Sequence, residues 1–417
     1  MLRHGSGGVG SGAYPGVDRT AFVWRKSIPL YDNRIPTTVP LASVEDVASE
    51  ADAFAAALAA RLEGEESEGE RFQGMPSDGD SRLAYEALGA DGWIGLHWPE
   101  RHGGRGLTPL HTVAAEERFG YHWLPLSSYL LSVKTIGNAL LRFASPELQD
   151  RLVPQIAAGR LIFCQGFSEP GAGSDLAALT TRAEARNGTF VVSGHKIWTS
   201  SAQLADWIYL AVRTDDAVEQ PQDGISVLVA DMRTPGITVR PFPTLGGGRL
   251  CEVFLDDVEV PASNLVGEPH EGWRVLMATL DYERVTSEKV GVLVRVLDDL
   301  ERLVHSKTDR LALLRLRGEA EAARLHGRRA TKLLEAGSPA SAAASMAKLS
   351  SAVLAQRLAD EALRVLGVAG LVERGPGARL DGRPAALYRA AVAATISGGS
   401  AEIQRRVIAR RGLACPA

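Results

Sequence analysis

The stretch Phe163–Ser201 decides the fold of this chain, and it reads FCQGFSEPGAGSDLAALTTRAEARNGTFVVSGHKIWTSS. Its first part holds Pro170, Gly171 and Gly173, which break any regular period and let a backbone approach a ligand closely. Its second part carries Trp198, followed by small hydroxyl residues. A flat aromatic side chain beside hydroxyl donors suits a flat heteroaromatic ligand that needs hydrogen bonds at its edge. The stretch therefore predicts a ligand-binding loop followed by a ligand-binding strand.

The composition of the whole chain is that of a globular protein. Its 417 residues are 45% hydrophobic and 23% charged, which is enough for two or three packed units. A formal net charge of -4 is too small to indicate nucleic acid or a membrane surface as a partner. No apolar run approaches the ~20 residues that a membrane-spanning helix needs, and the N-terminus has no signal-peptide core. We expect a cytoplasmic protein that binds no nucleic acid and has no membrane span.

The cysteines and histidines indicate no metal site. Cys164, Cys251 and Cys415 are scattered and odd in number, so they support neither a disulfide framework nor a zinc site and are typical of a reducing compartment. His97 and His102 lie five residues apart, but no third ligand follows nearby.

The hydrophobic pattern changes twice along the chain and predicts an α+β protein in the order helical, β, helical. Residues 1–20 are rich in Gly and Ser and residues 21–40 look extended between prolines, so 1–40 reads as a flexible or extended leader. Helical periodicity follows over 41–160, short apolar runs separated by turn residues over 161–270, and helices again over 271–417. We expect an N-terminal helical domain, a small central β-barrel or sandwich and a C-terminal helical bundle.

Individual elements are predicted within this frame, with an acidic, solvated loop at 63–80. The expected N-terminal helices are Val44–Leu62, which Ser43 and Asp46 begin, then Ser81–Leu88, Pro109–Glu117, Ser127–Phe143 and Pro146–Ala158. The expected strands are Thr189–Val192, Trp207–Val212, Ser226–Ala230, Thr238–Arg240 and Glu252–Val258. The expected C-terminal helices are Leu276–Val304, Arg310–Ala336, Ala340–Leu366 and a short last helix capped by Ser400 and running through Arg411, with an irregular connector at 367–385.

One carboxylate interrupts the apolar face of the predicted helix Leu276–Val304. Apolar residues recur every three or four positions along that face, and Glu283 lies among them. Burial there disfavours the charged form of a carboxylate, as a general base near neutral pH requires. On the pattern alone, Glu283 is either such a base or one half of a structural pair with a buried arginine.

Three motifs carry a resemblance to a known family. They read Ser168-Glu169-Pro170-Gly171-Ala172-Gly173-Ser174-Asp175, then Gly194-His195-Lys196-Ile197-Trp198-Thr199-Ser200, then Ser397-Gly398-Gly399-Ser400-Ala401-Glu402-Ile403-Gln404. At these positions the chain resembles the acyl-CoA dehydrogenases, over about residues 85 to 412. The resemblance implies the three-domain fold of that family, bound FAD, and desaturation of an acyl thioester at Cα–Cβ, with the β hydride passing to flavin N5.

The resemblance also implies where the catalytic base lies. Many members carry a glutamate near the C-terminus, where this chain has Gly398, which has no side chain. Other members, such as the isovaleryl- and long-chain-type enzymes, carry it on the helix, where this chain has Glu283. Residue 398 has no side chain and residue 283 is a glutamate, so the resemblance makes Glu283 the expected base. The thioester oxygen would be bound by a backbone N–H of Gly398 or of Glu283.

Further contacts are implied position by position. The expected FAD contacts are Phe167, Ser168, Trp198 and Ser200, with Ser400 and Glu402 reaching the adenine half from a neighbouring subunit. The expected substrate contacts are Ser174 at the CoA arm and Asp281 and Arg284 at the mouth of the acyl pocket. The implied electron acceptor is electron-transferring flavoprotein.

Two departures from the family pattern bear on assembly. An Arg-x-x-Phe-Gly motif that holds FAD across subunits is replaced by Ser306-Lys307-Thr308-Asp309-Arg310, and a common Gln is Arg364. The family implies a homodimer or homotetramer, and some bacterial members that handle dicarboxylic, branched or steroid-side-chain acyl-CoAs combine two different subunits. Three hypotheses follow: an acyl-CoA dehydrogenase, a scaffold or half-site subunit of a heterotetramer, and a dehydrogenase of carrier-protein-bound acyl groups.

Overall fold

The computed structural model describes residues 42–64, 78–246 and 248–415. The predicted leader at 1–40 lies outside these residues, as does the stretch 65–77 of the predicted acidic loop.

The N-terminal part is helical, as predicted. Its helices are α1 (Val44–Gly64), α2 (Asp78–Ala90), α3 (Pro109–Tyr121), α4 (Ser127–Tyr129), α5 (Asn138–Phe143) and α6 (Pro146–Ala157). The predicted start of α1 is confirmed, because the Ser43 hydroxyl accepts from the Asp46 N–H at 3.0 Å and the Asp46 carboxylate accepts from the Ser43 N–H at 3.3 Å. Such a reciprocal pair satisfies two N–H groups that the first turn leaves without partners.

The predicted helix at Ser127–Phe143 is continuous but unevenly wound. A π-helical segment, Leu130–Gly137, joins α4 to α5. A Cβ at Gly137 would lie 2.5 Å from the Trp98 ring, so the indole packs directly on the backbone there. Within the segment, buried Lys134 donates to Glu116 of α3 at 2.8 Å and to Glu288 at 2.6 Å. These ion pairs tie the N-terminal helices to the C-terminal part.

The central part is one curled seven-stranded sheet. Its strands are β1 (Phe163–Gly166), β2 (Arg182–Arg186), β3 (Thr189–Ser200), β4 (Trp207–Arg213), β5 (Ile225–Asp231), β6 (Ile237–Pro243) and β7 (Arg249–Pro261). They run in the order β1-β4-β2-β3-β7-β6, with β5 paired to β4. Every predicted strand is present, and β3 is much longer than predicted. Its pairing with β7 is irregular between Lys196 and Thr199, so Ile197 and Trp198 bulge from the ladder.

The C-terminal part is a helical bundle. Its helices are α7 (Gly272–Glu283), α8 (Ser287–Glu301), α9 (Lys307–Glu335), α10 (Ser341–Leu366), α11 (Arg383–Ala394) and α12 (Ala401–Val407). A core of buried aliphatic residues that includes Leu297, Leu313 and Leu358 holds α8, α9 and α10 together. Ser400 caps α12 as predicted, accepting from the Ile403 N–H at 3.3 Å, and a π-helical turn, Ile408–Gly412, follows.

The prediction of a single helix over Leu276–Val304 is wrong. The chain leaves helical geometry between α7 and α8, where Thr286 has ψ of 50°. At this break the Thr286 hydroxyl shares a 2.7 Å hydrogen bond with Ser351 of α10. Glu283 is therefore the last residue of α7, next to the break, and does not lie in the middle of a long helix.

No helix in the described ranges combines the length and apolar character that crossing a bilayer requires.

Candidate functional site

Glu283 lies directly against the empty glycine position. A Cβ built on Gly398 would lie 2.9 Å from Glu283 Oε1, closer than a real side chain tolerates. Gly398 also has φ of 64°, in the left-handed region that glycine adopts without strain. The two positions at which the family resemblance placed a base, 115 residues apart in sequence, thus share one volume, and the Glu283 carboxylate fills it.

The Gly398–Gly399 turn is held by three side chains through its carbonyl oxygens. Gln404 Nε2 donates to both the Gly398 and Gly399 oxygens at 3.0 Å. Lys348 Nζ donates to the Gly399 oxygen at 2.8 Å, and Arg284 Nε approaches the Gly398 oxygen at 3.5 Å. Among the described residues, no acceptor is found for the N–H groups of Gly398 and Gly399, so both donors are available to a ligand.

The N–H of Glu283 is less available. Glu283 ends α7, and helical geometry directs its N–H to the carbonyl of residue 279. Of the two backbone donors that the sequence left open, the structure leaves the Gly398 N–H without an internal acceptor.

Strand β1 connects Glu283 to the loop that follows it. Gln165 of β1 donates from Nε2 to Glu283 Oε2 at 3.5 Å, while its own Oε1 is buried without a partner. Two residues further on, the Phe167 carbonyl accepts from Lys196 Nζ at 3.1 Å. The Ser168 carbonyl then accepts from the Ile197 N–H at 2.9 Å. The C-terminal end of β1 and the two residues after it therefore reach both the Glu283 carboxylate and the β3 bulge.

The β3 bulge presents an aromatic surface outward. Trp198 has φ of 61° and is 57% exposed, although an indole is normally covered. Its ring meets Phe242 edge-on, with 5.5 Å between centroids. The next side chain, Thr199, is fully buried, and its hydroxyl has no hydrogen-bond partner among the described atoms. An exposed indole beside a buried hydroxyl without a partner fits a flat ring system with hydrogen-bonding edges, such as the isoalloxazine of a flavin.

A buried ion pair anchors the loop Glu169–Asp175. The Glu169 carboxylate accepts from Lys196 Nζ at 2.8 Å and from the N–H and hydroxyl groups of Thr180 and Thr181 at 2.6 to 2.8 Å. Burial alone would raise the pKa of Glu169, but the Lys196 ammonium and the threonine donors outweigh it and lower the pKa to about 2. Glu169 and Lys196 belong to two separate sequence motifs, and the structure shows that they bind each other.

Asp281 and Arg284 are buried and bind each other. Arg284 donates to Asp281 Oδ1 at 3.2 Å, and Ser341 donates to Asp281 Oδ2 at 2.7 Å. Burial raises the pKa of Asp281 despite these donors, and burial lowers the pKa of Arg284. Arg284 also approaches the Gly398 carbonyl oxygen, so the Asp281–Arg284 pair helps to hold the Gly398–Gly399 turn. Ser174, by contrast, is exposed on its loop.

The described contacts of the remaining predicted positions are local. The Ser400 hydroxyl caps α12, and exposed Glu402 pairs with Arg405 at 3.6 Å. Phe167 is buried against Tyr209, with 5.9 Å between ring centroids. At the departure from the family pattern, Arg364 binds Asp309 at 2.6 Å. That position therefore serves an ion pair within this chain.

Sequence reasoning did not single out three residues at the site. Gln165, Lys348 and Gln404 acquire their roles only when β1, α10 and α12 meet at α7. Gln404 belongs to the motif Ser397–Gln404, and Lys348 gave one signal, which is a single cation among the small residues of the first half of α10. Over the part of the chain described, no group of three or more metal-binding side chains converges.

Comparison with known proteins gives a consistent result. Models of the N-terminal, middle and C-terminal domains of acyl-CoA dehydrogenase match residues 44–160, 164–258 and 270–413. Acyl-CoA dehydrogenase IpdE1 of Mycobacterium tuberculosis is 35% identical over 345 residues, covering 81% of this chain and 88% of that protein. Acyl-CoA dehydrogenase FadE26 of the same organism is 33% identical over 350 residues, covering 79% and 86%.

Solved structures are similar over almost the whole chain. The structure named Tcur3481-Tcur3483 steroid ACAD has a TM-score of 0.81 at 30% identity, covering 89% of this chain and 97% of that one. The ChsE4-ChsE5 complex from Mycobacterium tuberculosis has a TM-score of 0.77 at 30% identity, covering 92% and 100%.

Proposed function

Because this chain belongs to the acyl-CoA dehydrogenase family, a family of flavoprotein oxidoreductases, we propose that it is an FAD-dependent enzyme that desaturates an acyl-CoA with Glu283 as its base. The observation that carries the proposal is the 2.9 Å separation between Glu283 Oε1 and the position of a Cβ on Gly398. A carboxylate on α7 thus reaches the volume that the C-terminal glutamate of other members would occupy.

The chain's own groups divide the work of the reaction. Glu283 accepts the α proton, while Gln165 holds its other oxygen. The Gly398 N–H binds the thioester oxygen and stabilises the negative charge that develops as the α proton leaves. FAD, when bound, supplies the acceptor for the β hydride. Trp198 and Thr199 hold the ring system, with Phe167, Ser168 and Ser200 along its edge, and Ser174 approaches the CoA arm.

The decisive experiment is anaerobic reduction of the bound flavin by a panel of butyryl-, octanoyl-, palmitoyl- and steroid-side-chain acyl-CoAs. At least one should bleach the wild-type flavin. Glu283→Gln keeps the size of the side chain but cannot accept the proton, and a positioned base contributes ~10²–10⁴-fold. We expect flavin reduction to slow by at least ~100-fold, with FAD content unchanged.

The matched control is Glu184→Gln, which removes an exposed carboxylate on β2 that pairs with Arg186 on the surface and should leave the rate of reduction by substrate within about twofold. Full reductive activity in Glu283→Gln would show that the proton goes elsewhere. Loss of folding in Glu283→Gln would instead favour a structural ion pair. Activity with pantetheine-arm substrates and none with free CoA esters would favour a carrier-protein-bound substrate.

The reduced cofactor must also be reoxidised. We expect slow turnover with oxygen and faster turnover with electron-transferring flavoprotein or an artificial dye, measured by steady-state assays with each acceptor. Rapid peroxide formation that no carrier improves would identify an oxidase instead.

A second candidate is a subunit of a heteromeric acyl-CoA dehydrogenase. Two observations favour it. The motif that holds FAD across subunits is absent here, where Arg364 binds Asp309. One similar structure is named as a complex of two proteins, ChsE4 and ChsE5. In that case this chain supplies the base and part of the FAD site, and a related chain supplies the rest.

A further inference from the structure

The Gly398–Gly399 turn has a conformation that favours glycine, and two adjacent glycines make it flexible. A Cβ at Gly398 would collide with Glu283, and a Cβ at Gly399 would lie 2.6 Å from Gln404 Nε2. Both residues have positive φ, 64° and 95°. Glycine loses more conformational freedom on folding than any other residue, so two adjacent glycines hold one conformation only when other groups fix them.

The carbonyl contacts determine where the N–H groups of the turn point. In a trans peptide the C=O and the following N–H point in opposite directions, and the described chain has no cis peptide. Binding of the Gly398 oxygen by Gln404 therefore aims the Gly399 N–H away from Gln404. Binding of the Gly399 oxygen by Lys348 does the same for the Ser400 N–H. Successive N–H groups of this kind form a concave site for a negatively charged oxygen.

We propose that Lys348 and Gln404 are positioning residues: they hold the two peptide units that follow Gly398, and thereby fix the conformation of the turn in which the Gly398 N–H and the Gly399 N–H face the substrate's thioester oxygen. This inference rests on the proposed function and assigns both side chains a role in it. Lys348 is 3% exposed, and Gln404 is fully buried, so neither needs to touch the substrate. They act through the backbone that they hold.

Lys348 makes the arrangement sensitive to pH. Its burial, reinforced by the positive charges of Lys289 on α8 and Arg284 after α7, lowers its pKa to about 8, against the opposing influence of Glu283 and Glu402. The ammonium that holds the Gly399 oxygen is therefore present well below pH 8 and is lost as the pH rises through that value. The limiting rate of flavin reduction should fall over the same range.

The experiment measures the limiting rate and the substrate dissociation constant of anaerobic flavin reduction, using the panel acyl-CoA that reduces wild type fastest. Lys348→Met should lower the limiting rate about 10-fold or more, leave the dissociation constant within about threefold, and abolish the alkaline fall. Lys348→Arg, which keeps a charged donor, should restore part of the rate. Lys289→Met, which removes a neighbouring charge and no donor to the turn, should move the alkaline fall to higher pH at an unchanged plateau.

A second readout needs no turnover. Acetyl-CoA has no β carbon and cannot be desaturated, so the infrared stretch of its ¹³C-labelled thioester carbonyl reports hydrogen bonding alone. We expect a shift to lower wavenumber on binding to wild-type holoenzyme and a smaller shift in Lys348→Met and Gln404→Met. If Lys348→Met does not fold, the carbonyl shift of Gln404→Met and the pH profile of Lys289→Met still test the inference.

The outcomes separate this inference from the proposed function. If no panel compound reduces the wild-type flavin, the proposed function is wrong and the inference falls with it. If wild type is reduced but Lys348→Met and Gln404→Met keep its rate, its pH profile and its carbonyl shift, only the inference is wrong. Lower FAD content or thermal stability with an unchanged rate per bound flavin would likewise overturn it, because that is the signature of a purely structural role.

Discussion

Under the proposed function, Glu283 and Gly398 illustrate how one catalytic group can be supplied from two places in a chain. The carboxylate comes from the end of α7, and the position that faces it carries no side chain and a φ of 64°. The close contact with Glu283 and the positive φ together explain why residue 398 is a glycine. The same geometry predicts that a carboxylate at position 398 could replace the one at position 283.

We expect a transplant of the base to restore part of the activity. Glu283→Ala alone should lose at least ~100-fold in flavin reduction. Adding Gly398→Glu to it places a carboxylate in the vacated volume, at a strain of about 1–3 kcal/mol for a side chain with positive φ. The double variant should therefore be faster than Glu283→Ala and slower than wild type, as measured by stopped-flow bleaching of the flavin.

Gly398→Ala with Glu283 intact is the control for the transplant. Its Cβ would press on the Glu283 carboxylate, so we expect a slower reduction than in wild type with FAD retained. An unchanged rate in Gly398→Ala would contradict the shared volume, and a double variant no faster than Glu283→Ala would show that the glycine position does not reach the α carbon.

At the scale of elements, the motif-bearing segments were predictable, and the break between α7 and α8 was not. Strands separated by turn residues and a Gly/Pro loop leave local signals in sequence. The break leaves no such signal, because the face that carries Leu280 and Glu283 keeps its steps of three or four through Ser287 and Val290. The break is accompanied by a contact that is distant in sequence: the Thr286 hydroxyl shares a hydrogen bond with Ser351, 65 residues away. The choice of Glu283 came from the family resemblance, and the contacts of Lys348 and Gln404 needed the packed helices.

The loop Glu169–Asp175 should show a defined acid sensitivity. Because Glu169 has its pKa lowered to about 2 in the folded state, its stabilising contribution is full above its ordinary pKa of 4.5 and is lost as the pH falls from there to about 2. A shift of this size corresponds to a free energy of unfolding on the order of 3 kcal/mol.

Glu169→Gln should lower the free energy of unfolding by on the order of 3 kcal/mol at pH 7 and by progressively less below pH 4.5, measured by urea unfolding at each pH. The control is Glu184→Gln, whose carboxylate pairs with Arg186 on the surface, where such pairs contribute about 0–1 kcal/mol. Equal losses in the two variants, or a loss from Glu169→Gln that does not depend on pH, would contradict the assignment.

At the scale of the whole molecule, the sheet and the C-terminal bundle meet at a single site, and the N-terminal helices bind the bundle. The sheet supplies β1 and the β3 bulge, and the C-terminal bundle supplies Glu283 and the glycine turn. The N-terminal helices are joined to that bundle by Lys134, which binds Glu116 and Glu288. The order helical, β, helical was predictable from hydrophobic periodicity, whereas the assembly of subunits depends on surfaces for which periodicity gives no rule.

The way in which the subunits assemble should determine how much FAD each chain binds. If a second, related chain completes the FAD site, this chain expressed alone should bind non-covalent FAD at less than one per chain, and co-expression with that chain should raise the ratio. Absorbance of released flavin against protein mass, together with mass photometry, gives both the ratio and the oligomer size. One FAD per chain in a homodimer or homotetramer would exclude the half-site hypothesis.

The shared volume of Glu283 and Gly398 also constrains how such an enzyme can evolve. If both positions carried an acid at once, the two side chains would have to share one space, and the like charges would keep one of the two carboxyls protonated. The least crowded route from 283 to 398 therefore passes through a smaller residue at position 283 before an acid arises at 398. On that route packing sets the order of the two mutations, and under the proposed function the intermediate is an enzyme without a base.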